Sequence, residues 1–438
     1  MKKILNIRLG FFTLATVLVS GMLIQSYANA ANTIPGNNVL VSVNNVDGQG
    51  MNSGSGPAGI SSNGNVILFS TNASNITDYN GVSGLYVRDI EQSTTERVDV
   101  STSGVLADNT NLSSALSETG RYVAFSSMAT NLIDGTTSRA GGVYIRDTQL
   151  GTTTQVAIGY YPTNGHDWDK VWGISNDGRF LVYTTKDFGP GPWKPYVIRY
   201  VDTLTGNSKT FGGPTQSTKW TTHASMSCDG SLVVFSSSYN PSTGGDENHK
   251  VYLADMRNVD NPTFTTIGGS YTFAPKISCN GNYITYNVQN SYNDPTPKPT
   301  GLSNYAHLIR YNRIDGTRAY IDSNTAGTVF DNNTFLFDDY ATASGGIWND
   351  DRFYNSIADT GDITLKYNGQ GYLKHLSDNS GTMETIQRTP SGTYLGSPVG
   401  RLSANGRFVT YSSPQGYDLG LLSSSSTFYN VFRSETGI

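Results

Sequence analysis

The sequence predicts an all-β fold, a seven-bladed β-propeller of four-stranded antiparallel blades. Three observations carry the prediction: a phrase repeated seven times, a composition poor in charge and rich in turn formers, and an N-terminal strand that fits the one incomplete blade. The phrase is eleven residues long. Its copies read ISSNGNVILFS from Ile60, LSETGRYVAFS from Leu116, ISNDGRFLVYT from Ile174, MSCDGSLVVFS from Met226, ISCNGNYITYN from Ile277, IADTGDITLKY from Ile357 and LSANGRFVTYS from Leu402. Gly holds the fifth position in all seven. Repetition every ~40 to 60 residues, with strand-turn-strand chemistry in each copy, marks a propeller or a related array.

Each copy ends one strand, turns on the glycine and begins a second, as in Val123 to Phe125 or Leu181 to Tyr183. Glycine suits the turn because positive φ costs it nothing. A third strand follows a variable loop, in Gly84 to Asp89, Gly142 to Asp147, Val197 to Asp202 and Val251 to Asp255, and its closing Asp opens another turn. The fourth strand leaves that turn, as in Thr95 to Val100. Asn312 and His375 replace the Asp in blades five and six, and Ala358 replaces the usual Ser of the phrase in blade six. Blades should begin near residues 57, 113, 171, 223, 274, 353 and 398 of a single domain spanning 37–438. Blade seven runs short, since only Arg433 to Ile438 follow its third strand near Phe428 to Phe432. Residues 38–44, followed by Asp47-Gly48, resemble the fourth strand of blade one and its Ser103-Gly104 exit. They are expected to complete the last blade and close the ring, removing an exposed strand edge.

The composition agrees. Charged residues make up 14% of the chain, against 48 Gly and 27 Tyr, so surface polarity must come mainly from Ser, Thr and Asn. Low charge with many β-branched, aromatic and turn residues describes an all-β chain. Residues 1–30 read as a cleaved secretory signal: Lys2, Lys3 and Arg8 precede an apolar run from Leu9 to Ile24, and Ala28-Asn29-Ala30 is a small-x-small cleavage site. The expectation is an exported protein, periplasmic or secreted, with no membrane span after cleavage. Without the leader's three basic residues, 26 remain against 34 acids, a net charge of −8. That balance argues against nucleic acid as a partner and gives no reason to expect attraction to anionic lipid.

The phrases, with the downstream YVRD and YIRD runs at Tyr86 and Tyr144, resemble the WD40-like PD40 repeats of the TolB-like β-propeller family. The resemblance covers roughly Asn37 to the C-terminus and implies an exported propeller used for binding. TolB itself also carries an N-terminal α/β domain. None is expected here, because the first propeller strand begins only a few residues after the leader, and membership of the Tol-Pal machinery is not implied.

Loop lengths indicate where binding should occur. The first-to-second and third-to-fourth turns of each blade share one face and are short. Loops on the other face are long and varied, the longest running from Ser323 to Asp351, and long loops on a rigid scaffold are the usual seat of function. Trp168, Trp172, Trp193, Trp220 and Trp348 all fall on or beside that face. Trp172 reads equally well as a plug in the core, while Trp193 lies in the Pro/Gly-rich loop from Gly189 to Pro195. Exposed aromatics suit protein or glycan contacts. With His166, Asp167 and His249 nearby, Trp168, Trp193, Trp220 and Trp348 form the candidate binding set. His166 and His223 precede first strands and could line the central mouth.

Enzyme signatures are missing: no Gly-x-Ser-x-Gly elbow, no His-Glu-x-x-His zinc site and no phosphate loop. The expected function is therefore a non-enzymatic binding module, a monomer whose partner is a protein or an envelope glycan. The alternative is a polysaccharide-binding or polysaccharide-cleaving propeller using the same face, with acid and base brought from separate blades. No cofactor is expected. Asp338, Asp339, Asp350 and Asp351 in the longest loop are hard oxygen donors that could hold Ca²⁺, but a solvated acidic loop explains them as well. Cys228 and Cys279 occupy the same position in consecutive repeats. An exported protein can oxidise such a pair, provided adjacent blades bring the Cα atoms within ~7 Å; both a disulfide and two separate thiols stay open.

Overall fold

A computed structural model of the protein describes residues 38–45, 48–135, 141–159, 169–186, 196–212, 221–288, 294–297, 307–322, 355–367, 370–376, 383–386, 399–414, 421 and 428–436. These form seven four-stranded antiparallel sheets with no helix among the described residues. None of those residues forms a helix long and apolar enough to cross a membrane. Six blades are simple meanders in chain order. Their first strands are Ser55–Ile60, Asn111–Leu116, Lys170–Ile174, Thr221–Met226, Thr272–Ile277 and Ser356–Ile357. The seventh combines Val399–Leu402, Phe408–Ser413 and Asn430–Glu435 with Val39–Leu40 from the other end of the chain as its outermost strand. The amide of Val41 extends that pairing to the carbonyl of Val431 at 2.8 Å. Ser42 Oγ and Asn430 Oδ1, both buried, join the two ends again. The ring is thus closed by a two-ended blade.

The repeated phrase explains itself position by position. Each fifth-position glycine has φ between +74° and +89°, where a Cβ is strained. A Cβ would also strike the preceding blade. At Gly178 it would lie 2.6 Å from the Tyr122 ring, at Gly230 2.5 Å from Phe180, and at Gly64 2.2 Å from Phe408. Tyr122, Phe180 and Phe408 hold the seventh position of their own phrases, and in six of the seven blades the turn is a notch that receives that side chain from the blade before it; at Gly406 the nearest atom is Thr360 Oγ1 at 3.1 Å. The second-position Ser closes the turn: its Oγ accepts the seventh-position amide at 2.8–3.1 Å in blades one to five and seven. Blade six, with Ala358 there, uses Thr360 Oγ1 and Asp362 instead.

Arginine at the sixth position stacks on the seventh-position ring, Arg121 4.9 Å from Tyr122 and Arg179 4.7 Å from Phe180. The same guanidinium reaches the Asp that closes the third strand, in Arg121–Asp147 and Arg179–Asp202, both at 2.7 Å. Hydrogen bonding to Arg179 holds Asp202 down to about 2.

The core lies between blades rather than within them. One cluster joins Leu68 and Leu85 of blade one to Val123 and Phe125 of blade two, and another joins Ile198 and Tyr200 of blade three to Val233 and Phe235 of blade four. The seam between the chain ends packs Val41 and Val431 with Ile67 and Phe69 of blade one.

Gly178→Ala should cost roughly 2–5 kcal/mol, the sum of a left-handed Cβ and an overpacked contact. Gly206→Ala, with φ +74° but open space around its Cβ, should cost roughly 1–2 kcal/mol. Urea unfolding of the two variants checks this, and equal losses would remove the notch as a packing constraint.

Candidate binding channel

The first strands of all seven blades line a central channel, and six of them bulge near the middle. Register shifts fall between Pro57 and Gly59, Asn111 and Ser113, Val171 and Gly173, Thr221 and Ala224, and Phe273 and Lys276; a sixth lies between Val399 and Leu402 in blade seven. A bulge re-aims a side chain out of the alternating pattern. Trp172, His223 and Arg401 all sit within these bulges and line the channel.

At the short-turn end, third-position residues form a belt. The Ser62 amide donates to the Glu118 carbonyl, Asn176 to Cys228, Cys228 to Cys279 and Asp359 to Ala404, all at 2.8–2.9 Å. The Asn280 amide donates to Asp359 Oδ1 at 2.7 Å. Cys228 and Cys279 are disulfide-bonded with Cα atoms 4.7 Å apart. Glu118 reaches beyond its neighbouring blade, accepting a hydrogen bond from the Ala404 amide of blade seven. Its side chain is half-buried, yet its Oε2 is fully enclosed and has no partner. Burial, with Asp359 nearby, pushes the Glu118 carboxyl up to about 8 against the opposing pull of Arg401. Glu118 is therefore largely protonated at neutral pH.

Toward the long-loop end the channel widens into a cavity of about 370 Å³. Lys170, Lys276, Arg401, His223, Trp172 and the amides Asn111 and Asn355 line it. Among the described lining residues there is no carboxylate. Lys170 Nζ lies 4.6 Å and Lys276 Nζ 5.6 Å from the Trp172 ring, and the His223 ring lies 5.4 Å away. The indole N–H of Trp172 donates to Thr184 Oγ1. Burial, followed by the charges of Lys170, Lys276 and His249, drives His223 well below its ordinary value. The described side chains that line the cavity thus include three cations, although the chain as a whole is acidic.

Of the residues singled out from sequence, Trp168, Trp193, Trp220, Trp348, His166 and Asp167 lie outside the described residues. So do Asp338, Asp339, Asp350 and Asp351. Among the described residues, no group of three His, Cys, Asp or Glu side chains could hold a metal. His249 is on the long third strand of blade four (Asp246–Asp255), with its ring 5.1 Å from Phe273 and its charge felt by His223. His223 lines the channel. The structure adds Lys170, Lys276 and Arg401, which sequence reasoning missed. A signal for two of them was present. The residue just before each phrase reads Gly59, Ala115, Gly173, Ser225, Lys276, Ser356 and Arg401, so two cations interrupt a column of small residues. The short-turn face also carries Leu150, Leu204 and Ile314, each 69–77% exposed. They stand singly on separate blades, which is ordinary for a surface.

No protein-family profile matches the chain, and no curated protein matches it in sequence. Solved structures do. TolB from Acinetobacter baumannii is 14% identical over 61% of this chain and 53% of its own, with a TM-score of 0.35. A prolyl endopeptidase structure is 13% identical over 83% of this chain and 46% of its own, with a TM-score of 0.51. The propeller domain of the Trilobed protease from Pyrococcus furiosus is 9% identical over 88% and 96%, with a TM-score of 0.48. The chain spans about half the length of the TolB and endopeptidase structures. At these identities the likeness shows a propeller fold and nothing finer.

Three measurements test the short-turn end. Because Glu118 titrates near 8 when folded and near 4.5 ordinarily, the folded state holds a proton that the unfolded state releases between those values. Its contribution is full below pH 4.5 and is lost as pH rises through 8. Relative to wild type, Glu118→Gln should therefore flatten the fall in urea midpoint between pH 5 and pH 8; parallel profiles would remove the enclosed carboxyl. Replacing both cysteines with Ser should cost about 2–4 kcal/mol. Unreduced wild-type protein should show no alkylatable thiol by mass, and two alkylated thiols would contradict the bridge.

Proposed function

We propose that this chain is an exported, monomeric, non-enzymatic binding module, periplasmic or secreted, that engages a protein or cell-envelope component through the long-loop end of its channel. One asymmetry supports the reading. The belt and the Cys228–Cys279 bridge narrow the short-turn end, where the channel holds only about 130 Å³, while the 370 Å³ cavity sits at the end from which the long loops emerge. A cavity of that size falls in the ~300–1,000 Å³ range of ligand sites. It is held by strands, which position side chains more firmly than loops do. The bridge suits an oxidising compartment, in keeping with the leader. The TolB-like repeats add a resemblance to propellers used for binding.

Gly56 lines the cavity, and a Cβ there would meet nothing within 4 Å. Gly56→Trp should therefore plug the mouth without disturbing the ring. Leu204→Trp, on the short-turn face, serves as the control. Affinity capture from the native envelope should return the same specific partner with wild type and Leu204→Trp, and at least tenfold less with Gly56→Trp. The reverse pattern, or capture insensitive to both, would overturn the reading.

A further inference from the structure

Resting on that reading, we infer that the channel cavity is an oxyanion site that takes a carboxylate or phosphate group of its ligand. Three cationic side chains from three different blades, Lys170, Lys276 and Arg401, converge on one cavity at the centre of an acidic protein. Lys276, Arg401 and Trp172 line both the wide mouth and the narrower base of the channel, which places them at its waist. A group passing down from the mouth meets the charges there, before the belt.

The surroundings favour an anion over a neutral sugar. A sugar would use an open aromatic face, but the Trp172 ring already has Lys170, Lys276 and His223 within 4.6–5.6 Å. Stacked on lysines, the indole instead fixes two ammonium groups beside the cavity. Arg401 supplies planar paired donors suited to carboxylate or phosphate oxygens. The amides Asn111 and Asn355 border the same space. The carboxyl whose titration Arg401 affects, Glu118, is held protonated by burial and so does not compete for that charge at neutral pH.

Thermal unfolding and calorimetric titration with simple probes test this: inorganic phosphate, D-galacturonate against D-galactose, and an acetylated dipeptide as free acid against its amide. At least one anionic probe should raise the melting midpoint saturably, with no effect from its neutral counterpart or from sodium chloride at equal ionic strength. The probe that binds identifies phosphate, sugar carboxylate or peptide carboxylate as the source. A Lys276→Gln/Arg401→Gln variant should lose at least tenfold in affinity. Arg401→Lys, which keeps the charge, should retain most of it, and the cooperativity of each unfolding curve reports folding. Equal binding of neutral and anionic probes, no saturable anion effect, or unchanged affinity in the double variant would overturn the inference. Partner capture that Gly56→Trp abolishes, without anion binding, would overturn this inference and leave the binding-module reading standing. Anion binding without such capture would do the opposite.

Discussion

Everything in this molecule hangs on the contact between the turn glycine of one blade and the seventh-position side chain of the blade before it. At six of the seven turns the glycine is constrained twice, by a positive φ and by a side chain of the preceding blade where a Cβ would lie; at Gly406 the positive φ acts with Thr360 Oγ1 nearest, at 3.1 Å. A propeller blade is a small twisted sheet with little core of its own. Its apolar faces must be covered by its neighbours, and here the buried clusters do join adjacent blades. The notch sets the depth at which each sheet seats on the next. The Arg–aromatic stack and the Arg–Asp pair then fix the outer hairpin to the same point.

Seating the blades in this way leaves seven first strands around a narrow axis. Small residues are needed wherever those strands approach closely: a Cβ on Gly59 would lie 2.7 Å from Leu116 Cβ. Against that requirement, a lysine and an arginine in the same column stand out. They fit because Lys276 and Arg401 stand where the strands bulge, at the waist between the cavity and the narrower base. The two ends of the channel therefore differ in chemistry. One is narrowed by backbone hydrogen bonds, a disulfide and a protonated carboxyl; the other is wider and lined by three cations.

How much of this was legible in the sequence follows from what each feature depends on. The seven blades and the borrowed strand at Val39–Leu40 were readable because strand periodicity and turn chemistry are local and repeat. The shared register of Cys228 and Cys279 was readable for the same reason, although their distance was not. The role of the phrase's glycine was half visible: positive φ is a local property, but the Tyr122 or Phe180 ring filling the space comes from another blade. The cationic mouth was missed because attention followed tryptophans in long loops. Lys170 and Trp172 meet Lys276 only through ring closure, and bulges have no compositional mark. Comparing the residue just before each phrase across all seven copies would have exposed Lys276 and Arg401.

If the notches and shared clusters couple every blade to the next and Val39–Leu40 joins the last to the first, the ring has no weak seam and should unfold as one unit. Differential scanning calorimetry of the protein with its disulfide intact tests this most directly. The account predicts a single transition whose calorimetric and van't Hoff enthalpies agree. Two or more separable transitions, with blades melting independently, would contradict it.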